Sequence, residues 1–223
     1  METPKLSILI ATQGRRNLKF TNLIREVMRQ VRVYRGKIEV IAYWNNGELP
    51  IGTIRQQLIE EAKGEYVCFI DDDDEIPDYY CKEILAALGK DYVGFHVKLF
   101  NNGVEQRPVF HSLRYQVWTE DDDGFYRGVT HLNPLKREIA LQGDFTAQGA
   151  GEDAIWAKSI IHLVKTENYI TKIMYYYHHN KNDTSFGGDW TYRKTGYRRP
   201  IMNHVYFRWH PDSKEVSKEV QNA

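Results

Sequence analysis

The chain has 223 residues, a length that suits one α/β domain with a single core or one domain with a small appendage. Its 42% hydrophobic and 27% charged content is ordinary for a folded protein. With 30 basic residues against 30 acidic ones, the formal net charge is zero, which excludes a global pull toward DNA or acidic membranes and leaves any polyanion site to a local patch.

The N-terminus runs into a short apolar strand over residues 6–11, without the long hydrophobic stretch of a signal peptide or membrane span, so a soluble protein is expected. Thr12-Gln13-Gly14 breaks that strand, and Leu23, Ile24, Val27, Met28 and Val31 then recur at helical spacing. The pattern returns with a strand over 38–43, a turn at Asn45-Asn46-Gly47, and a helix with Ile54, Leu58, Ile59 and Ala62 on one face. A third unit follows. Residues 66–70 form an apolar strand bounded by Gly64 and by aspartates, and Pro77 starts a helix carrying Ile84, Leu85 and Leu88. Cys68 falls inside this strand; it and Cys81 make no disulfide framework, which fits a reducing cytoplasm, or the host cytoplasm for a viral protein. Such alternation predicts an α/β fold, a mainly parallel sheet flanked by helices, with ligands gathered at the carboxyl ends of the strands.

After Leu88 the rhythm changes. Residues 92–100 and 104–110 flank Asn101-Asn102-Gly103, a hairpin signal, and further short strands are expected within 115–127. Residues 134–141 and 154–164 read as helices and 169–178 as a strand, giving an α+β second half. Residues 212–223 are a polar tail, read as a frayed helix or as disordered.

The four consecutive carboxylates Asp71-Asp72-Asp73-Asp74 repel one another unless solvated or neutralised, and a divalent cation is their natural partner. Mg²⁺ and Mn²⁺ prefer such oxygen ligands and often share them with substrate phosphates. A solvated loop or the acidic start of a helix would also explain the run. Its attachment to an apolar strand, at a ligand-binding edge, favours a metal and diphosphate site.

Residues 6–15, together with Gly52, Arg55, Ala62, Lys63-Gly64-Glu65-Tyr66 and Phe69-Ile70-Asp71-Asp72-Asp73-Asp74-Glu75, resemble the family 2 glycosyltransferases of the GT-A fold. The resemblance covers roughly the first 90 residues, a good part of a domain of ordinary size. It implies a metal-dependent, inverting transfer from a nucleotide sugar, a UDP-sugar, with Mn²⁺ or Mg²⁺ as cofactor. Asp71 and Asp73 stand at the DxD positions, Asp71 on the ribose or metal side and Asp73 on the metal, with Asp72 beside the nucleotide and Asp74 in support. Thr12, Arg15 and Arg55 fall where such enzymes meet the nucleotide. Many members carry an acidic pair after the second strand for the base and ribose, whereas this chain has Trp44-Asn45-Asn46-Gly47. An Asn amide donates and accepts and Trp44 can stack, although a tight turn explains Asn46-Gly47 equally well.

Gly151-Glu152-Asp153 fits an acidic helix cap and also resembles the family's ED motif, which makes Asp153 the general base and Glu152 a positioning acid. His179, after Tyr175-Tyr176-Tyr177-His178, is similar in placement to a late histidine that helps hold metal or phosphate. Two adjacent strand-end histidines also serve as ordinary hydrogen-bonding groups. The implied layout is one catalytic domain over 1–211, with 1–100 as its nucleotide-sugar half and 101–211 as its acceptor half.

For the acceptor, residues 190–211 carry Arg193, Lys194, Arg198, Arg199 and Arg208 among Trp190, Tyr192, Tyr197, Tyr206, Phe207 and Trp209, without an acidic residue. Cations that hold phosphates beside rings that stack on bases lean toward a 5-hydroxymethylpyrimidine in DNA. Residues 130–138 look like those of compact bacteriophage glycosyltransferases, some of which modify DNA bases. A saccharide or lipid-linked acceptor is the alternative, and packing of this segment onto the domain is the plain one. Nucleotidyl transfer ranks lower because only Gln13-Gly14-Arg15-Arg16 approaches a glycine-rich nucleotide loop, and a non-catalytic cation- or sugar-binding module lower still, for want of EF-hand spacing.

Overall fold

In the computed structural model, which describes residues 3–13, 16–45, 49–145, 151–179, 205–209 and 217–220, the last two stretches by backbone alone, β1 (Leu6–Gln13) is followed by α1 (Asn17–Val31) and β2 (Ile38–Asn45). Helix α2 (Ile51–Glu61), β3 (Tyr66–Phe69) and α3 (Tyr80–Ala87) come next. The three strands pair in parallel in the order β2-β1-β3. Successive side chains point to opposite faces of a strand, so each strand feeds two cores. Leu6, Ile8, Ile10, Val40, Ala42 and Cys68 join one cluster with Leu23 and Val27 of α1 and Ile84 of α3. Leu9, Ile41, Tyr43, Val67 and Phe69 join the other with Ile54, Leu58 and Ile59 of α2. Cover on both faces is why these strands are apolar throughout rather than alternating.

The second half contains β4 (Tyr92–Asn101), β5 (Val104–Glu105), β6 (Val109–His111), β7 (Thr119–Glu120), β8 (Phe125–Arg127), β9 (Leu135–Lys136), α4 (Arg137–Ala140), α5 (Glu152–Ile160) and β10 (Glu167–His179), then β11 (Val205–Trp209) and β12 (Ser217–Val220). One sheet runs β12-β11-β2-β1-β3-β9-β4-β6-β8-β7, with β10 and β5 also paired to β4. The long pairings β1 with β2 and β4 with β10 are parallel, so the fold is the expected α/β, mostly parallel sheet. The hairpin turn falls on Asn102 and Gly103, with φ of 50° and 78°, both in the left-handed region that a tight two-residue turn requires.

Several elements differ from expectation. Residues 134–141 are not one helix, because Leu135 and Lys136 take backbone pairing with Val67 and Tyr66 and leave a four-residue helix behind them. Strand β9 thereby ties β3 to β4, meeting Tyr92 through Leu135. Helix α3 starts at Tyr80 rather than Pro77. The Pro77 carbonyl is taken by the Tyr80 amide and by Gln30 Nε2, and Gln30 Oε1 caps the helix by accepting the Cys81 amide at 2.9 Å. Strand β1 continues through Thr12 and Gln13, held opposite Trp44 and Asn45 of β2. In the tail, residues 217–220 pair as β12 with β11, where a helix or disorder was expected. No helix among the described residues is long and apolar enough to cross a membrane.

Candidate active site

The acidic run begins two residues beyond the end of β3, after Ile70, and the alternation of that strand divides its side chains between the two faces of the sheet. Asp71, in phase with Phe69, meets the α2 side, where Arg55 Nη2 donates to its Oδ1 at 2.9 Å. Arg55 Nη1 donates to Glu152 Oε1 at the start of α5. Asp72, one residue on, meets the α1 side. Arg16 Nη1 lies 2.7 Å from its Oδ1, and the Gln13 amide at the end of β1 donates to its Oδ2 at 3.2 Å. The same Arg16 nitrogen is 3.0 Å from Asp73 Oδ1. Asp74 turns inward to β10, accepting the Tyr175 hydroxyl at 2.9 Å and the His178 amide at 2.7 Å, while the Tyr175 hydroxyl accepts the Asp71 amide at 2.9 Å.

His131 completes the arrangement. Its Nε2 is 3.5 Å from Asp71 Oδ2 and its Nδ1 is 3.5 Å from Asp153 Oδ2. Two carboxylates 82 positions apart in the chain therefore flank one imidazole, counting from Asp71 to Asp153. Exposure sorts the acids: the side chains of Asp71, Asp73 and Asp153 are 25%, 16% and 30% exposed, whereas those of Asp72 and Glu152 are 3% and 8% exposed. The first three are partly exposed, and the last two are almost wholly buried in their ion pairs with Arg16 and Arg55.

The charge here is unbalanced. Among the described residues Asp71 and Glu152 pair with Arg55 and Asp72 and Asp73 with Arg16, while Asp74 meets Tyr175 and Asp153 meets His131; Lys19 adds one more positive charge near Asp73. Burial would raise Asp71, but the Arg55 guanidinium and the His131 ring hold it below the usual carboxylate range. Burial pushes Asp73 up to about 6, with Asp71 and Asp72 adding to it against Arg16. Burial, Asp71 and Asp73 raise Asp74 as well, against the His178 amide and the Tyr175 hydroxyl. Excess negative charge on hard oxygen donors fits a divalent cation at Asp71 and Asp73. No group of three or more His, Cys, Asp or Glu among the described residues forms a metal cage by itself. A cation there would complete its shell with water and phosphate oxygens, as Mg²⁺ commonly does.

The other expected residues are placed as follows. Thr12 is fully buried at the end of β1, and its hydroxyl has no hydrogen-bond partner among the described residues. Trp44 meets Phe20 edge-on at 6.3 Å. The Asn45 amide is used within its own loop, donating to the Leu49 carbonyl at 3.0 Å and accepting the Leu49 amide at 3.2 Å. Arg55 is 7% exposed on the buried face of α2, tying Asp71 to Glu152. His179 is exposed and makes no ion pair with an aspartate among the described residues; its carbonyl accepts the Asn102 amide. Its neighbour His178 stacks on Phe100 at 4.9 Å. Arg15, Asn46, Arg193, Lys194, Arg198 and Arg199 lie outside the described residues.

Arg16, His131 and Tyr175 were not singled out by sequence reasoning as members of the site. The signals present were a second arginine after Gly14, a histidine inside the 130–138 stretch, and the alternation that sends Tyr175 and Tyr177 to one face of β10.

The description "glycosyl transferase family 2" belongs to the family that matches residues 21–144, more than half of the chain and well beyond the acidic run. No individually curated protein matches the chain. Among solved structures, S. aureus TarS 1-349 is similar with a TM-score of 0.56 and 16% identity, over 78% of this chain and 60% of that one. The structure of TarS 1-349 in complex with UDP-GlcNAc gives 0.53 and 15%, over 78% and 58%. The chain thus spans about three fifths of the TarS fragment, and the likeness is one of fold. With the family matched across the acidic run and the GT-A-like sheet around it, the chain belongs to glycosyltransferase family 2.

Proposed function

We propose that the chain transfers a sugar from a UDP-sugar to an acceptor hydroxyl with inversion at the anomeric carbon, using Asp153 as general base. The observation that supports this most is the meeting of Asp71, His131 and Asp153, since it brings the acidic run and the candidate base to one imidazole ring. The TarS structures in complex with UDP and UDP-GlcNAc support a uridine donor. Asp153 takes the acceptor proton while the acceptor oxygen bonds to the anomeric carbon and the bond from that carbon to the diphosphate oxygen breaks, the electron pair leaving with UDP. Attack from the side opposite the leaving group inverts the centre. Asp73 and Asp71 would hold the Mn²⁺ or Mg²⁺ ion, which when bound supplies charge stabilisation for the departing diphosphate. Arg55 and Glu152 keep Asp71 and the start of α5 in register. His179 is kept as a metal-side candidate on its position at the end of β10.

We further propose one catalytic domain over 1–211, donor-binding over 1–100 and acceptor-binding over 101–211. The acceptor leans to 5-hydroxymethylpyrimidine in DNA, a reading that rests on the basic and aromatic composition of 190–211. To test it, the protein is incubated with UDP-sugars and Mn²⁺ against hydroxymethylated DNA or oligosaccharides, and products are weighed. The expected result is a hexose increment on DNA that disappears in a folded Asp73→Ala variant. Labelling of saccharide alone rejects the DNA acceptor, and full turnover by Asp73→Ala in metal-free buffer rejects the metal assignment.

A further inference from the structure

We propose that His131 is a positioning residue of this transfer, a fixed spacer whose imidazole orients the Asp153 carboxylate and registers it against Asp71. The inference rests on the reading of Asp153 as base. His131 is 7% exposed, and neither of its ring nitrogens has a properly formed hydrogen bond among the described residues. Instead each nitrogen stands 3.5 Å from one carboxylate oxygen, just beyond hydrogen-bond length. Buried polar groups are almost always paired, so an imidazole left short on both sides answers a demand other than packing.

The Asp153 side explains that demand. Asp153 Oδ1 accepts the amide of Ala154 at 2.9 Å, which pins one oxygen to the first turn of α5. The other oxygen, Oδ2, faces His131. Rotation of the carboxylate is thus limited by the helix on one side and the ring on the other. The ring is itself backed by structure. Phe69 packs edge-on against it at 5.9 Å, and the Phe69 amide donates to the His131 carbonyl at 2.9 Å. The loop carrying it is tied by Thr130 Oγ1 to Asn133 Oδ1 at 2.7 Å and by Asn133 Nδ2 to the Val93 carbonyl at 2.9 Å. Such backing is what a precise general base needs, because misplacement by about 1 Å costs about a hundredfold in rate.

An asparagine amide falls near the Nδ1 position of the ring and a glutamine amide near Nε2, so the two substitutions separate the Asp153 contact from the Asp71 contact. The assay is release of UDP from UDP-GlcNAc with water as the acceptor, which needs no knowledge of the natural acceptor. UDP affinity is measured in Mn²⁺ by calorimetry. His131→Ala is expected to lower kcat by about a hundredfold while KM for UDP-GlcNAc and UDP affinity stay within about twofold. His131→Asn recovers much of kcat and His131→Gln does not; this comparison carries the test even where the alanine protein does not fold. A crystal structure of either folded variant that lacks the Nδ1 contact should show the Asp153 carboxylate turned from its wild-type place. Wild-type kcat in His131→Ala, equal rates for the Asn and Gln variants, or an unmoved Asp153 each overturns the proposal. Asp153→Asn, run in parallel, separates the two readings. Wild-type turnover there removes the base itself, whereas an inactive Asp153→Asn beside a fully active His131→Ala removes the role of His131 alone.

Discussion

Tyr175 holds the acidic run at both ends with one oxygen. Its hydroxyl accepts the Asp71 amide and donates to Asp74 Oδ2, each at 2.9 Å, and so fixes the spacing of carboxylates that would otherwise repel one another. Tyr175→Phe keeps the ring and deletes this oxygen, leaving two buried groups short of a partner at a cost of about 1–3 kcal/mol. Urea unfolding should show a lower midpoint at unchanged slope, and UDP release from a UDP-sugar should slow in the folded protein. An unchanged midpoint would mean that the hydroxyl is dispensable. At this scale the candidates were legible where acids are neighbours in sequence: Asp71, Asp73 and Asp153 stand in acidic clusters beside a strand and at a helix start. Tyr175 was hidden because its partner Asp71 is 104 positions away, and Arg16 because Asp72 is 56 away. Arg55 was expected to meet nucleotide, but its place among Ile54, Leu58 and Ile59 on one helix face turns it inward.

Helix α2 comes close to Phe145 and to the start of α5, and Gly52 in its first turn allows it. A Cβ at Gly52 would fall inside the Phe145 carbonyl and lie 3.3 Å from Glu152 Cγ. Gly52→Ala therefore pushes the start of α2 away from both, and Arg55, three residues on, moves with it. Overpacking of this kind costs about 1–3 kcal/mol. The melting temperature should fall, and UDP release should fall further than UDP affinity, because the Arg55 bridge between Asp71 and Glu152 is stretched. A variant with wild-type melting and rate would show that the approach is slack. The elements themselves were legible when their pattern was local: three continuous apolar strand runs are each followed by a helix with apolar residues at period 3.6. Residues 134–141 were misread because apolar spacing cannot register that β3 and β4 both offer backbone partners to Leu135 and Lys136. Strand β12 in the polar tail is likewise made by its pairing with β11 rather than by its own composition.

Across the whole molecule the formal charge is zero, so the response of stability to pH depends on groups whose pKa differs between the folded and unfolded chain. The first 100 residues announced their sheet and the acidic run because both are continuous in sequence. The part beyond residue 100 is stitched from short strands and a polar network, His111 with Asn133 and Thr130, that no periodicity reveals. His111 makes that network testable. Burial pushes its pKa down to about 4, with the Asn133 hydrogen bond opposing and Arg127 and His131 adding to the fall. The folded chain thus keeps His111 neutral where the unfolded chain, near 6.5, takes up a proton. Its contribution is full above about pH 6.5 and is lost as pH falls toward about 4, by roughly 3 kcal/mol in all. Asp73, raised to about 6, works in the opposite sense over part of the same range, since the folded chain then binds its proton first. The raw stability of the wild-type chain therefore mixes the two. The difference in unfolding free energy between the wild-type chain and His111→Gln cancels the carboxylates and isolates the imidazole. That difference should be flat above pH 7 and shrink by roughly 3 kcal/mol between pH 7 and 4 in urea titrations. If it stays constant across that range, His111 is not held neutral by the fold, and its burial beside Asn133 and Thr130 does not set its charge.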